Sequence, residues 1–128
     1  MESAGFPRLV KLLVTIQGIY YLLTGVWPLV HMSSFVMVTG PKTDVWLVKM
    51  VGLLAACIGI CLVFSILKKQ FPPLLFVLAI TSAVAFLAVD SFYAFSGMIS
   101  EVYLGDAVFQ LAIVLAYVVA LTQRTRDS

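Results

Sequence analysis

Ionisable and amide side chains interrupt the apolar stretches of this sequence, and their chemistry needs an explanation. Lys49, Asp90 and Asp106 each stand within or at the edge of such a stretch, and Gln110 follows Asp106 by one helical turn. A charged side chain at the centre of a membrane-spanning helix costs about 2.5–3.5 kcal/mol on insertion scales, and less near the interface. These groups are therefore expected to face a protein interior, where they pair, bind a ligand or exchange a proton.

Helical spacing brings further polar residues onto the same faces. Gln17, Tyr21 and Thr24 share one stripe of the first apolar run, and Asp106, Gln110 and Tyr117 share one stripe of the last. The pattern predicts a ligand-binding or buried polar cluster whose members are Lys49, Asp90, Asp106, Gln110, Tyr21 and Tyr93.

Two arrangements of the three charges remain open. Lys49 lies at a depth comparable with both aspartates, which favours an ion pair with Asp90 or with Asp106. Alternatively, each long side chain reaches the outer interface singly. Two carboxyl groups in unlike surroundings could also act as an acid and a base.

The elements that must position these residues are membrane-spanning helices. Hydrophobic residues make up 62% of the 128 residues and charged residues 11%, whereas a soluble domain is about half apolar and a quarter charged. Apolar runs occupy approximately 9–31, 45–67, 74–95 and 102–121, each long enough to cross a bilayer. The sequence predicts a single all-α transmembrane domain over 1–128, an integral membrane four-helix bundle, with the intervening segments as loops.

The distribution of Lys and Arg predicts the orientation, because basic residues are retained on the cytoplasmic side. Six basic residues flank one side of the predicted spans and two the other. The first group is Arg8, Lys11, Lys68, Lys69, Arg124 and Arg126, and the second is Lys42 and Lys49. Both termini are therefore expected in the cytoplasm, with a plasma or inner membrane as the location.

Several other classes of site are not predicted. A net charge of +2 without a basic face does not provide a nucleic-acid interface. His31 is the sole histidine and no metal-ligand spacing surrounds it, so neither a metal nor a cofactor is expected. Cys57 and Cys61 are interpreted as small packing residues within one helix.

Small residues recur at helical spacing in the second run. Gly52, Ala56 and Gly59 lie on one face, and small residues let two helix backbones approach closely in lipid. We expect this face to pack against another helix.

Two stretches resemble the DoxX-like group of small four-span membrane proteins. The segment RLVKLLVTIQGIYYLLTG, residues 8–25, resembles their first helix in its basic start, Gly18 and the Thr24-Gly25 pair. The segment VGLLAACIGICLVF, residues 51–64, resembles their glycine-bearing second helix. The resemblance implies an accessory membrane protein and carries over no site residue.

Three hypotheses for the function follow. The first is a non-catalytic membrane protein, either an accessory subunit of a larger complex or a binder of an amphipathic molecule in a pocket open to the outer leaflet, since an apolar cavity with few polar groups is typical of a ligand site. The second is an enzyme acting on a lipid-soluble substrate with Asp90 and Asp106 as acid and base. The third is a small transporter, which the absence of ionisable residues near the predicted midplane disfavours.

The orientation is tested by cysteine labelling in a Cys57→Ala, Cys61→Ala background. A cysteine introduced at Met32 or Met98 should react with a membrane-impermeant maleimide added outside intact cells, whereas one at Gln70 should react only after permeabilisation. The reverse pattern would show that the charge argument is wrong.

Overall fold

Five helices account for almost all of the described chain. The computed structural model describes residues 5–41 and 44–127, and the side chains of residues 8–41 and 44–122. The helices are α1 (Gly5–Val30), α2 (Met32–Thr39), α3 (Val45–Lys68), α4 (Pro73–Phe95) and α5 (Val102–Asp127). Within those ranges, four helices are long and apolar enough to cross a membrane, which confirms the predicted all-α class and the four candidate spans.

The side of the membrane on which each end lies stays a prediction. Lys42 and the side chains of Arg124 and Arg126, on which part of the charge argument rests, lie outside the described residues. Arg8, Lys11, Lys68 and Lys69 are exposed at the same end of the bundle, as an interfacial position requires.

A tight connection joins α3 to α4. Lys69 ends α3 in the left-handed conformation, with φ of +55°, and the Gln70 amide donates a hydrogen bond to the Ser65 carbonyl at 3.0 Å. Pro72 and Pro73 then start α4, because proline lacks an amide hydrogen and fits the first turn of a helix. The two helices therefore run in opposite directions.

The segment after α1 is a helix where the sequence predicts a loop. His31 caps α2, because its Nδ1 accepts a hydrogen bond from the Ser34 amide. The Trp27 indole donates to the Ser34 hydroxyl at 2.8 Å, which ties α2 to the end of α1. Gly40, with φ of +99°, ends the helix. The prediction failed because an eight-residue helix is stabilised by such tertiary contacts rather than by its own periodicity.

Small residues allow the backbones of α1 and α3 to touch. A Cβ atom on Gly52 would lie 2.6 Å from the Gly25 carbonyl oxygen, and one on Gly59 would lie 2.7 Å from the Gly18 carbonyl oxygen. Both distances are shorter than real Cβ contacts. The prediction that the glycine face of α3 packs against another helix is confirmed, and the partner is α1.

The remaining helices complete the bundle around α1. The helices α4 and α5 pack against each other along their length, α5 also contacts α1, and α3 approaches α4 at few points. The core lies among α1, α4 and α5, with Leu62 of α3 beside it, and its fully buried or nearly buried members include Val10, Val14, Leu62, Phe76, Ala79, Ile113 and Tyr117.

The two cysteines lie on the outer side of α3. Cys57 and Cys61 are both exposed, which contradicts their interpretation as small packing residues. The glycine face occupies the side of α3 that meets α1, and the cysteines therefore point away from that seam, where a bilayer would supply lipid.

The contact between α1 and α3 predicts a difference among glycine-to-alanine substitutions. Gly52→Ala and Gly59→Ala force two backbones apart, and each is expected to lower the free energy of unfolding by about 1–3 kcal/mol, the usual cost of overpacking. The measurement is thermal unfolding in detergent.

Gly105→Ala is the matched control, because a Cβ atom there meets nothing within 4 Å. It should leave stability unchanged or raise it slightly, since alanine favours a helix over glycine by about 1 kcal/mol. Equal changes in stability at Gly52, Gly59 and Gly105 would mean that the close contact between α1 and α3 does not stabilise the bundle.

Candidate functional site

A buried amide joins three helices at one level of the bundle. The Tyr117 hydroxyl of α5 donates to Gln17 Oε1 of α1 at 2.8 Å, and Gln17 Nε2 donates to the Ala79 carbonyl oxygen of α4 at 3.0 Å. Gln17 and Tyr117 are both fully buried. Because each of these hydrogen bonds crosses between helices, the Gln17 network fixes the register of α1, α4 and α5.

A second network lies nearer the α2 end of the bundle. The Tyr21 hydroxyl donates to Gln110 Oε1 at 2.7 Å, Gln110 Nε2 donates to Asp106 Oδ1 at 3.3 Å, and the Tyr20 hydroxyl donates to the same Asp106 oxygen at 2.5 Å. One oxygen of Asp106 therefore accepts two hydrogen bonds, one from α1 and one from its own helix.

Asp90 of α4 lies beside Asp106, and one of its carboxyl oxygens lacks a hydrogen-bond partner. Its side chain is 6% exposed, and among the described residues its Oδ2 has no hydrogen-bond partner. The Asp106 carboxyl lies close enough to interact with it directly. The structure therefore brings two carboxyl groups together in the bundle interior. We call Tyr20, Tyr21, Asp90, Asp106 and Gln110 the carboxyl cluster.

Aromatic rings border the carboxyl cluster on two sides. Tyr20 and Phe109 stack with ring centroids 3.9 Å apart, and Tyr21 meets Phe86 edge to face at 5.3 Å. Tyr20, Phe109 and Asp106 are partly exposed, whereas Asp90 behind them is buried. The cluster consequently has a partly open side where α1 meets α5 and a closed side against α4.

The carboxyl cluster lies near the middle of α1, although Asp90 is near the end of α4 and Asp106 is near the start of α5. Asp106 is in the second turn of α5, yet it bonds Tyr20, which is near the middle of the candidate span Arg8–Val30. The end of α1 extends beyond the start of α5 and leads into α2.

The structure does not bring Lys49 into the carboxyl cluster. Its side chain is exposed, and the described residues include no ion pair between it and either aspartate. The reason is that α3 packs on α1, while Asp90 and Asp106 belong to helices on the other side of α1.

The predicted members of the cluster thus divide into two groups. Asp90, Asp106, Gln110 and Tyr21 come together, and whether they bind a ligand stays a prediction. Tyr93, at the end of α4, is partly buried and meets the ring of Phe92 instead, with centroids 5.0 Å apart.

Sequence reasoning missed Tyr20 and Phe109. Tyr20 precedes Tyr21 directly, and neighbouring residues on a helix point about 100° apart. One tyrosine of the pair therefore faces the core while the other reaches the α1–α5 boundary. The tandem tyrosines were the available signal, because two rings on adjacent faces can contact two different helices.

Other features of the described residues offer no competing polar site. Over 5–41 and 44–127, no group of three His, Cys, Asp or Glu side chains is placed to hold a metal ion. An apolar groove of about 440 Å³ lies near the Lys68 end, distant from the carboxyl cluster, and is lined by Pro73, Phe76, Val77, Ile80, Thr81 and Leu121.

Fold and composition together define the class. The chain is a small polytopic membrane protein with four candidate spans and buried polar contacts between its helices. Comparison with known proteins adds no family, because no family model, curated protein or solved structure matches the chain.

The hydrogen-bond geometry predicts which side chains are energetically coupled. In a double-mutant cycle of Tyr20→Phe and Asp106→Ala, we expect a coupling energy of about 1 kcal/mol, within the range found for hydrogen bonds between membrane helices. The readout is the free energy of unfolding in detergent.

Lys49 provides the comparison pair. Lys49→Met combined with Asp106→Ala, or with Asp90→Asn, should be additive within about 0.5 kcal/mol, because the exposed ammonium group meets neither carboxyl. A coupling of Lys49 that matches that of Tyr20 would contradict the arrangement described above.

Proposed function

We propose that this protein binds, without catalysing a reaction, the polar head of an amphipathic molecule at the carboxyl cluster. The observation that carries the proposal is the unpartnered Asp90 Oδ2, buried beside Asp106. A buried acceptor that lacks a donor costs about 1–3 kcal/mol, more if it is charged. A bound donor removes that cost.

The partly open side of the cluster supports access for such a molecule. Asp106 and Tyr20 are partly exposed at the α1–α5 boundary, and Leu23, one turn after Tyr20, is a large exposed apolar side chain. A polar head at Asp106 with an apolar tail along this surface matches the usual form of a ligand site, mostly apolar with few polar groups. With both termini in the cytoplasm, the site opens towards the outer leaflet of a plasma or inner membrane.

An enzyme is the second candidate, and the same pair of carboxyl groups favours it. Two carboxyls that face one another in unlike surroundings are the arrangement expected of an acid and a base. Asp106 accepts two hydrogen bonds and Asp90 Oδ2 none, so their surroundings do differ. Turnover of a bound lipid-soluble molecule, lost in Asp90→Asn, is the result that would favour this candidate.

The accessory-subunit and transporter hypotheses make different use of the cluster. An accessory subunit, as the resemblance of α1 and α3 to the DoxX-like group implies, requires no free acceptor in its interior. A transporter requires an ionisable group near mid-membrane, and the contact of Asp106 with Tyr20 in the middle of α1 supports that requirement better than the sequence does.

The test is the recovery of a bound molecule after purification. The protein is extracted from membranes in a maltoside detergent, and the purified sample is analysed by organic extraction and mass spectrometry. We expect one amphipathic species near equimolar amount with the wild type and about tenfold less with Asp90→Asn, a fall in occupancy that corresponds to losing roughly 2.7 kcal/mol of binding.

Glu101→Gln is the matched control, because it removes an exposed carboxylate near the same end of the bundle. It should recover the species in the wild-type amount, and all three samples should elute as one symmetrical peak. Equal recovery with Asp90→Asn and wild type would refute the proposal.

A further inference from the structure

We infer that the head group held by the carboxyl cluster is a protonated primary amine. This inference rests on the proposed function and specifies its ligand class. Two carboxyl groups stand together, one of them 6% exposed with an oxygen that lacks a partner.

The hydrogen bonds already present determine what the site lacks. Tyr20 and Gln110 supply donors to one oxygen of Asp106, while Asp90 Oδ2 receives none among the described residues. An ionised carboxyl group only accepts hydrogen bonds. A ligand group that binds the pair in its ionised form must therefore donate, and an ammonium group offers three donors.

The charge of the site favours a cation over a neutral donor. Lys49 is exposed, and His31 is occupied with the Ser34 amide at the start of α2, so neither neutralises the carboxyl pair. Two carboxyl groups this close in a poorly solvated interior both ionise only when a counter-charge is present. A hydroxyl group would satisfy the free oxygen but leave the charge, whereas an ammonium group provides both the donor and the compensating charge.

The surroundings are also suited to a cation with an apolar tail. The Tyr20 hydroxyl bonds Asp106, and the stacked rings of Tyr20 and Phe109 give the site an apolar border. Gly105, one residue before Asp106, has open space beside it, since a Cβ atom there meets nothing within 4 Å. A tail attached to the amine can leave the site along this uncovered part of α5.

The experiment compares amphiphiles that differ only in the head group. Thermal unfolding of the purified protein in maltoside detergent at pH 7 is followed with dodecylamine, dodecanol or ethylamine added at equal concentrations. We expect dodecylamine to raise the Tm of the wild type and of Glu101→Gln by about 5 °C, because a ligand specific for the folded state stabilises it. Dodecanol and ethylamine should shift it by less than half as much.

Two variants keep the test independent of any single substitution. Asp90→Asn and Asp106→Asn preserve side-chain size and remove one charge each, and both are expected to lose the response to dodecylamine while still unfolding cooperatively. A response that persists in both variants would show that dodecylamine acts through the detergent micelle, which overturns the inference.

The remaining outcomes separate this inference from the proposed function. Equal stabilisation by dodecanol and dodecylamine, lost in Asp90→Asn, refutes the amine while the binding of an amphipathic molecule stands. If ethylamine raises the Tm as much as dodecylamine does, the ligand needs no apolar tail, and the site binds a water-soluble amine instead. No stabilisation by dodecylamine also refutes the inference, and the recovery experiment then decides separately whether another molecule is bound.

Discussion

The close contact between the backbones of α1 and α3 is the constraint on which the rest of the bundle depends. Lipid offers little hydrophobic force between helices, so close packing must supply the association. With the glycines of α3 seated against Gly18 and Gly25, one side of α1 is committed to α3. The other side, which carries Gln17 and Tyr21, is left to meet α4 and α5, and the buried hydrogen bonds of the interior form there.

The two polar networks differ in how completely their members are satisfied. Gln17 donates to a carbonyl of α4 and accepts from Tyr117, so its amide uses both ends. In the carboxyl cluster, by contrast, Asp90 Oδ2 has no hydrogen-bond partner among the described residues. A fully paired network specifies a structure, whereas an incompletely paired one in the same interior costs stability that a purely structural role does not explain. This contrast separates the part of the interior that holds the bundle together from the part we assign to ligand binding.

Much of the architecture could be predicted from the sequence. Hydrophobic run lengths gave the spans to within a few residues, because the thickness of a bilayer restricts the length of a helix that crosses it. Helical spacing placed Asp106, Gln110 and Tyr117 on one inward face, and small residues marked the α3 seam. These features are local, so a periodic pattern is sufficient to reveal them.

The misjudged features depend on which helices become neighbours. Lys49 was predicted to pair with an aspartate because the three residues lie at similar predicted depths in the membrane. In the structure, α1 separates α3 from both aspartates. Tyr20 lies off the polar stripe of α1 and becomes important only because α5 passes beside it. The helix α2 forms through contacts of Trp27 and His31 that no periodicity contains. Neighbour relations of this kind arise from tertiary packing, which a single sequence does not display.

The pairing of candidate membrane spans that follow one another in sequence has a consequence for biogenesis. The helices α1 and α3 pack together, and so do α4 and α5, so each half of the chain is a hairpin whose main contacts lie within itself. A ribosome releases the α1–α3 half first, and that half can associate in the membrane while α4 and α5 are still being made. Asp106 then meets Tyr20 only when the second hairpin docks, so the last step of assembly also creates the carboxyl cluster.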